Sequence, residues 1–578
     1  MVAAVFCLLV WGVMVAQHFR AKADDPLKSP GIALLKEKLH AAPKDESLKQ
    51  AIRALDLTLR ERFFQLLSLN RQGRWLLLVA AAALFLLGRR AARMWTRLPL
   101  PQPDLRGAQR APTDARQARW AVAALGVMIA AAFLSLALPS ATVLPSSPAE
   151  LDKLLARAAG TPEEDEMLRP DAGEFWQNWP RFRGPDGNAV SSATNFLASW
   201  NATTGEGIAW KTPVPAPGWG SPVVWGNRVF VSGGDALKRS VFCFDALSGA
   251  ILWQRAVENV PGGAAKQPEI PEGTGFAAPT MATDGRRAYV FFANGDLAAF
   301  TLEGAPVWAK SLGVPKNAYG HASSPIVWRQ RLLLQLDQGD VEERKSKLYA
   351  LDGATGRVLW QRNRPVPSSW ATPVVITAAG KDQVITLGVP WLISYAAGDG
   401  NELWRADCLN GEVTPSPIFA RGMVLAISPN EKLVALRPDG QGDVTKTHAA
   451  WSYEDNVPDI PSPTSDGELV YMVSTHGMLT CLDAADGKKQ WEQDLALECN
   501  ASPSVAGGKL YVFGNKGAAV VAAAGRQFKE LGRAELGEAV LASPAFVGDR
   551  IYVRGATNLF CLGKPAARGA TQPGNRKP

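Results

Sequence analysis

Eight side chains able to hold or transform a ligand recur in one sequence context. Trp219, Tyr319, His321, Trp370, Glu412, Asp459, Glu498 and Asn500 each stand within a few residues ahead of a small residue followed by Pro. Aromatic rings, carboxylates, an amide and an imidazole gathered at one rim would make a ligand site. The same set also makes an ordinary polar rim around channel water, and the residues alone leave both readings open. Stricter signatures of catalysis are missing. Of the 5 histidines, His321, His448 and His476 lie in the second half of the chain, with no metal-ligand spacing among them. There is no His-Glu-x-x-His, phosphate-binding glycine loop or nucleophile elbow. Asp337-Gln338-Gly339-Asp340, followed by Glu342-Glu343, reads as a solvated hairpin or loop rather than a calcium loop. No catalytic residue and no metal ligand are assigned.

The elements that must position these residues form a degenerate repeat, recurring roughly every 40 to 57 residues from Ser221 onward. The openings are Ser221-Pro222, Ala278-Pro279, Ser324-Pro325, Thr372-Pro373, Ser416-Pro417, Ser462-Pro463, Ser502-Pro503 and Ser543-Pro544. Short apolar strands follow each opening, and several copies close on an Asp-x-x-x-Gly turn and a Trp, as in Asp245 through Gly249 to Trp253. A repeat of this length built of short strands predicts an all-β, eight-bladed β-propeller, one four-stranded blade per copy. Inner strands then line the axis, and the residues ahead of each opening crown one mouth. Pro is tolerable at a strand's first position, where the missing donor falls at the end, and Asp followed by Gly supplies the tight turn between the outer strands.

The eighth copy ends without an outer strand. Gly207-Ile208-Ala209-Trp210-Lys211 reads like the outer strands Ala250–Gln254 and Arg357–Gln361, so it is expected to complete the last blade and remove the two free sheet edges of an open ring. Trp210, Trp253, Trp308, Trp360, Trp404, Trp451 and Trp491 take similar places in their copies and are expected to pack between blades; copy seven lacks one and carries Phe528 nearby.

The rest of the 578-residue chain reads as membrane-related. Transmembrane helices are expected at residues 1–18, 75–88 and 120–139, the third being the one long enough by itself to span a bilayer. The first run could instead be a signal peptide, although its n-region lacks Lys and Arg. Residues 19–74 carry apolar side chains at helical spacing, such as Leu48, Ile52, Leu55 and Leu59, and read as amphipathic extracytoplasmic helices packing on each other, a partner or lipid headgroups. The loop 89–119 holds Arg89, Arg90, Arg93, Arg97, Arg106, Arg110, Arg116 and Arg119 against Asp104 and Asp114, which places it in the cytoplasm. A linker at 140–175 would then carry the propeller, 176–563, on the far side of the bacterial inner membrane, facing the periplasm, with a disordered tail at 564–578. The net charge of +8 is a topology signal more than a nucleic-acid surface, and no nucleic-acid partner is expected. Cys243, Cys481 and Cys561 share one strand position in separate copies and read as small buried hydrophobes, so no disulfide is expected among the 6 cysteines.

The run Leu348-Tyr349-Ala350-Leu351-Asp352 through Thr355-Gly356 to Trp360 resembles the quinoprotein (PQQ-like) repeat, a family that includes PQQ-dependent alcohol dehydrogenases and the non-catalytic assembly lipoprotein BamB. Asn178-Trp179-Pro180-Arg181-Phe182-Arg183-Gly184-Pro185-Asp186-Gly187-Asn188 resembles the leading motif of membrane-anchored or exported bacterial members, with Arg181 and Arg183 pinning the incoming segment. For the catalytic members the resemblance implies a quinone over the axis, calcium held by acidic and amide side chains and, in many, a disulfide of adjacent cysteines. This chain has no Cys-Cys pair. The expectation is therefore a membrane-anchored propeller that acts as a non-enzymatic scaffold or binding module for envelope or membrane proteins, without a cofactor. The alternative is a dehydrogenase using PQQ with calcium and passing electrons to the membrane quinone pool. A small-molecule ligand is left open, as is recognition of an envelope carbohydrate by Trp219, Tyr319 and Trp370.

Overall fold

The computed structural model describes residues 172–565 apart from 265 and 272. The transmembrane and amphipathic segments, the basic loop, nearly all of the linker and the tail lie outside these residues. Among the described residues no helix is long and apolar enough to cross a membrane.

Eight antiparallel sheets follow one another along the chain. Blade 1 runs from Val223–Trp225 to Ile251–Ala256, blade 2 from Ala282–Thr283 to Pro306–Ser311, and blade 3 from Ile326–Trp328 to Val358–Asn363. Blades 4 to 7 end on Glu402–Asp407, Ala449–Tyr453, Lys489–Asp494 and Glu530–Glu535. Blade 8 supplies three strands, ending at Asn558–Leu562, and takes its fourth from Ile208–Pro213. That pairing is antiparallel, with Trp210 opposite Cys561 and Lys211 opposite Phe560, so the segment ahead of blade 1 closes the ring.

Strands two and three of each blade are buried on both faces, as in Arg228–Gly234 and Arg239–Asp245 of blade 1. Their apolar side chains meet those of the next blade, so the core is a series of inter-blade layers; one of them joins Val241 and Cys243 of blade 1 to Ala288 and Val290 of blade 2. Cys243, Cys481 and Cys561 stand opposite Trp253, Trp491 and Trp210 respectively, and all three are buried free thiols.

The outer-strand tryptophans dock on the turn of the following blade. Asp352 shows how that turn is built: its carboxylate accepts the Thr355 N–H at 2.8 Å and its carbonyl accepts the Gly356 N–H at 2.8 Å. Trp308 of blade 2 lies against Gly356 and donates Nε1–H to the Gly353 carbonyl at 2.9 Å. The bond recurs from Trp210 to Ala246 at 3.1 Å, Trp253 to Leu302 at 2.9 Å, Trp451 to Ala484 at 3.3 Å and Trp491 to Gly525 at 2.8 Å. Trp360 also lies against Gly400, but its Nε1 makes no hydrogen bond among the described residues.

Two places depart from the pattern. Blade 5 has Pro438-Asp439-Gly440 where the turn should be, and fully buried Trp404 donates instead to Gln383 Oε1 at 2.9 Å, while Gln383 Nε2 donates to the Pro438 carbonyl at 2.9 Å. Gln383 thus relays the contact between blades. At blade 7, which has no Trp of its own, Phe528 meets Trp491 edge-on, and the preceding segment brings in Trp200, stacked on Phe513 with centroids 5.6 Å apart.

At Gly356 (φ +69°) a Cβ would lie 2.6 Å from the Trp308 ring, whereas Gly380 (φ +70°) has open space around its own. Both substitutions to Ala strain the backbone, but Gly356→Ala must also push Trp308 off its seat. We expect Gly356→Ala to cost about 1–3 kcal/mol more than Gly380→Ala in urea unfolding; equal losses would show that the docking contributes nothing.

Candidate functional site

The axis of the ring is lined by hydroxyls. Ser221, Thr280, Ser324, Thr372, Ser416, Ser462, Ser502 and Ser543 all border one central cavity. A chain of hydrogen bonds links them in order: the Ser221 N–H donates to Thr280 Oγ1 at 2.9 Å, the Thr280 N–H to Ser324 Oγ at 2.9 Å and the Ser324 N–H to Thr372 Oγ1 at 3.0 Å. The N–H groups of Thr372, Ser416, Ser462 and Ser502 continue to the next hydroxyl at 2.9, 2.9, 3.0 and 3.0 Å. The small residue ahead of Pro therefore has a specific task. Its hydroxyl accepts the main-chain N–H of the preceding blade's opening residue, where a larger side chain would crowd the axis.

This ring corrects one reading from the sequence. In blade 2 the opening residue is Thr280, followed by Met281, and not Ala278-Pro279. Only a hydroxyl completes the bond, and the inner strand starts at Ala282, two residues after Thr280, as Val223 follows Ser221.

Beyond the ring, the leading segment fills the channel. The Trp179 N–H donates to the Val224 carbonyl of blade 1 at 3.0 Å and the Thr283 N–H of blade 2 to the Pro180 carbonyl at 2.8 Å. Asn188 exchanges side-chain hydrogen bonds with the main chain of Phe419 in blade 5, at 2.9 and 3.1 Å. The Asn188 carbonyl accepts the Thr464 hydroxyl of blade 6 at 2.6 Å, and Val190–Ser191 pairs in parallel with blade 7. Trp179 and Phe196 both pack on Phe546 of blade 8. These contacts fall two to four residues past the hydroxyl ring along each inner strand, so the segment is a plug below the ring.

Arg181 and Arg183 are buried inside it. Arg181 donates Nε and Nη2 to the Pro185 carbonyl at 3.0 and 2.7 Å, and Arg183 donates to the carbonyls of Asn188 and Pro463. Burial pulls their pKa values down to about 10 and about 9, against the nearby charge of Asp186. The Asp186 carboxyl is itself pushed above its ordinary value by burial, even though both its oxygens accept from Asn188.

Phe182 of the plug forms the floor of a cup of about 600 Å³, with the hydroxyl ring as its wall. Six of the eight rim candidates line it: Trp219, Tyr319, Trp370, Glu412, Asp459 and Asn500. Tyr319 and Trp370 form a tilted pair with centroids 5.5 Å apart, and Trp370 Nε1 donates to the Gly320 carbonyl at 2.9 Å. Asp459 accepts the Thr475 hydroxyl. Asn500 is held by Asn515, whose Oδ1 accepts its N–H at 2.7 Å.

The remaining two candidates do not reach the cup. Glu498 is exposed outside it. His321 is fully buried against the edge of Phe291, with Nε2 at 2.9 Å from the Ser323 carbonyl. The chain reverses at Gly320 (φ +79°), sending Tyr319 to the mouth and His321 between blades. Among the described residues no three His, Cys, Asp or Glu side chains converge as metal ligands. Nor is Asp337 part of a solvated hairpin: it is fully buried, pairs with Arg364 through Oδ1–Nε at 2.7 Å and also accepts from Gln335 and Ser369. The residues that sequence reasoning missed are Thr280, Phe182 and the hydroxyls as a linked ring. The repeated small-Pro openings were the signal for the ring.

Residues 174–341 and 344–562 match the protein family described as outer membrane protein assembly factor BamB, and the chain belongs to that family. Among curated relatives, BamB from Moranella endobia (strain PCIT) is 23% identical over 353 residues, covering 58% of this chain and 82% of that one. Polyvinylalcohol dehydrogenase from Sphingopyxis sp. (strain 113P3) is 22% identical over 320 residues, 50% of this chain and 46% of that one, so the chain spans about half the length of that relative. Among solved structures, quinohemoprotein alcohol dehydrogenase from Comamonas testosteroni has a TM-score of 0.53 at 15% identity, covering 70% of this chain and 83% of its own, which is likeness of fold.

Burial pulls the His321 pKa down to about 4, only partly offset by its bond to the Ser323 carbonyl. The unfolded chain therefore takes up a proton near pH 6.5 that the folded one refuses, and stability declines as pH falls from about 6.5 to about 4. We expect this group to account for up to about 3 kcal/mol over that window. His321→Gln should flatten that part of the profile of urea midpoint against pH; an unchanged slope would place the titrating group elsewhere.

Proposed function

We propose that this chain is a membrane-anchored, non-enzymatic binding propeller of the bacterial inner membrane, its blades and cup facing the periplasm and recruiting envelope proteins. The observation that carries this reading is the charge of the cup. Among the described residues its lining contains Glu412 and Asp459 and no Lys, Arg or His. Pyrroloquinoline quinone is a tricarboxylate, so at this position it would meet like charge and no basic partner, and the residues present do not fit it. Membership of a family described by outer-membrane protein assembly supports envelope proteins as partners. The apolar runs and the arginine-rich loop 89–119 support the anchoring and its direction. Nucleic acid has no part in this reading.

A second reading, a dehydrogenase using the quinone with calcium, has one observation in its favour. Glu412, Asp459 and Asn500 share the cup, and acidic and amide oxygens are the donors calcium takes. The two readings separate in one preparation. Purified full-length chain, titrated with the quinone and calcium and followed by absorbance, should show no saturable change up to about 100 µM, a range that covers ordinary cofactor affinities, and no alcohol-dependent dye reduction. Cross-linking in native membranes should meanwhile capture envelope proteins. Saturable quinone uptake with alcohol-dependent dye reduction would replace the first reading by the second.

A further inference from the structure

The two arcs of the cup differ in chemistry. Trp219, Tyr319 and Trp370 come from the loops that open blades 1, 3 and 4, whereas Glu412, Asp459 and Asn500 come from those that open blades 5, 6 and 7. Because loops follow one another around a propeller in chain order, the rings occupy one arc of the mouth and the carboxylates and amide the other. We infer that the cup is a receptor for an organic cation, an ammonium or guanidinium on an apolar stem, of the kind a Lys or Arg side chain of a partner protein presents.

The inference deepens the binding-module reading and rests on it. A recess lined by one sign of charge focuses its field and attracts the opposite charge. Glu412 is exposed, and its carboxylate has no side-chain partner among the described residues. Across the mouth, Tyr319 is 50% exposed and leans on Trp370, whose indole N–H is tied to the Gly320 carbonyl, so a ring face is held open at fixed position. Aromatic faces attract cations and tolerate the methylenes behind them. Deeper down, each ring hydroxyl from Thr280 to Ser543 that accepts a main-chain N–H keeps a second lone pair and its own proton, so it can hold water or an N–H without being left unsatisfied. Phe182 closes the floor, which suits the end of a side chain and not a threading strand.

The test uses the full chain in detergent, titrated by calorimetry and tryptophan fluorescence with five probes: a short arginine- and lysine-containing peptide, spermidine, succinate, maltose and calcium chloride. The peptide should bind, succinate and maltose should not, and affinity should fall between about 50 and about 500 mM salt as the exposed charges are screened. Glu412→Gln, alone and with Asp459→Asn, should weaken the peptide by about tenfold or more, while Glu498→Gln, outside the cup, should leave it unchanged. Glu412 is exposed in a loop, so its single variant should fold even if the double variant does not. Spermidine binding as tightly as the peptide would confirm the chemistry and make a free polyamine the source. Equal binding of maltose or succinate, peptide binding indifferent to Glu412→Gln, or a response to calcium alone would overturn the inference. If no probe binds while cross-linking still finds envelope partners, the cation receptor is wrong and the scaffold reading stands; quinone uptake would remove both.

Discussion

Everything in this propeller depends on an indole ring lying flat where a glycine leaves no side chain. A single blade has two apolar faces and is not stable by itself, so it must be clamped to neighbours on both sides. The outer-strand Trp supplies the clamp at the periphery, burying a large ring against the next turn and tying its N–H to a carbonyl that would otherwise face the same crevice, as Trp308 does at Gly353. The Asp carboxylate that caps the turn fixes where that carbonyl points. Where the turn is lost, in blade 5, the chain keeps the geometry with Gln383 as an intermediate; where the Trp is lost, in blade 7, Trp200 arrives from outside the repeat. Both exceptions preserve the clamp by other means, which argues that the clamp, and not the particular motif, is the constraint.

At the axis the same blades are held by a different device. Clamping at the rim would allow the inner strands to splay. The linked hydroxyls tie blades 1 to 8 in order, two residues ahead of each inner strand, and the plug then crosses the channel, with hydrogen bonds to blades 1, 2, 5, 6 and 7. The buried charges of Arg181 and Arg183 disfavour such a position by desolvation; their hydrogen bonds to carbonyls of the plug and of Pro463 offset part of that cost.

How much of this was legible follows from which forces leave a mark in sequence. Turns and docked rings need particular residues, so the blades, the closing strand at Ile208–Pro213 and the shared place of Cys243, Cys481 and Cys561 could be read directly. Blade 2 was misread by two residues because Ala278-Pro279 imitates the opening while Thr280 does its work without a Pro. At the site, proximity to an opening was enough to place six mouth residues, but not to tell Tyr319 from His321, which are separated only by the reversal at Gly320. Asp337 looked like one of a run of surface acids because its partner, Arg364, lies 27 residues away across the sheet. Long-range pairing of that kind has no local signature.

The repeated Asp, Gly and Trp belong to the outer strands and turns, whereas the cup is built from loops ahead of the inner strands, at the axial end of each blade. The clamp fixes the blades without specifying what stands ahead of each inner strand, beyond one small hydroxyl. Loops under so little structural constraint are where one scaffold acquires different chemistries. It follows that the mouth, and not the repeat, is where the function of this chain has to be read, and there the sum of its charges points toward cations.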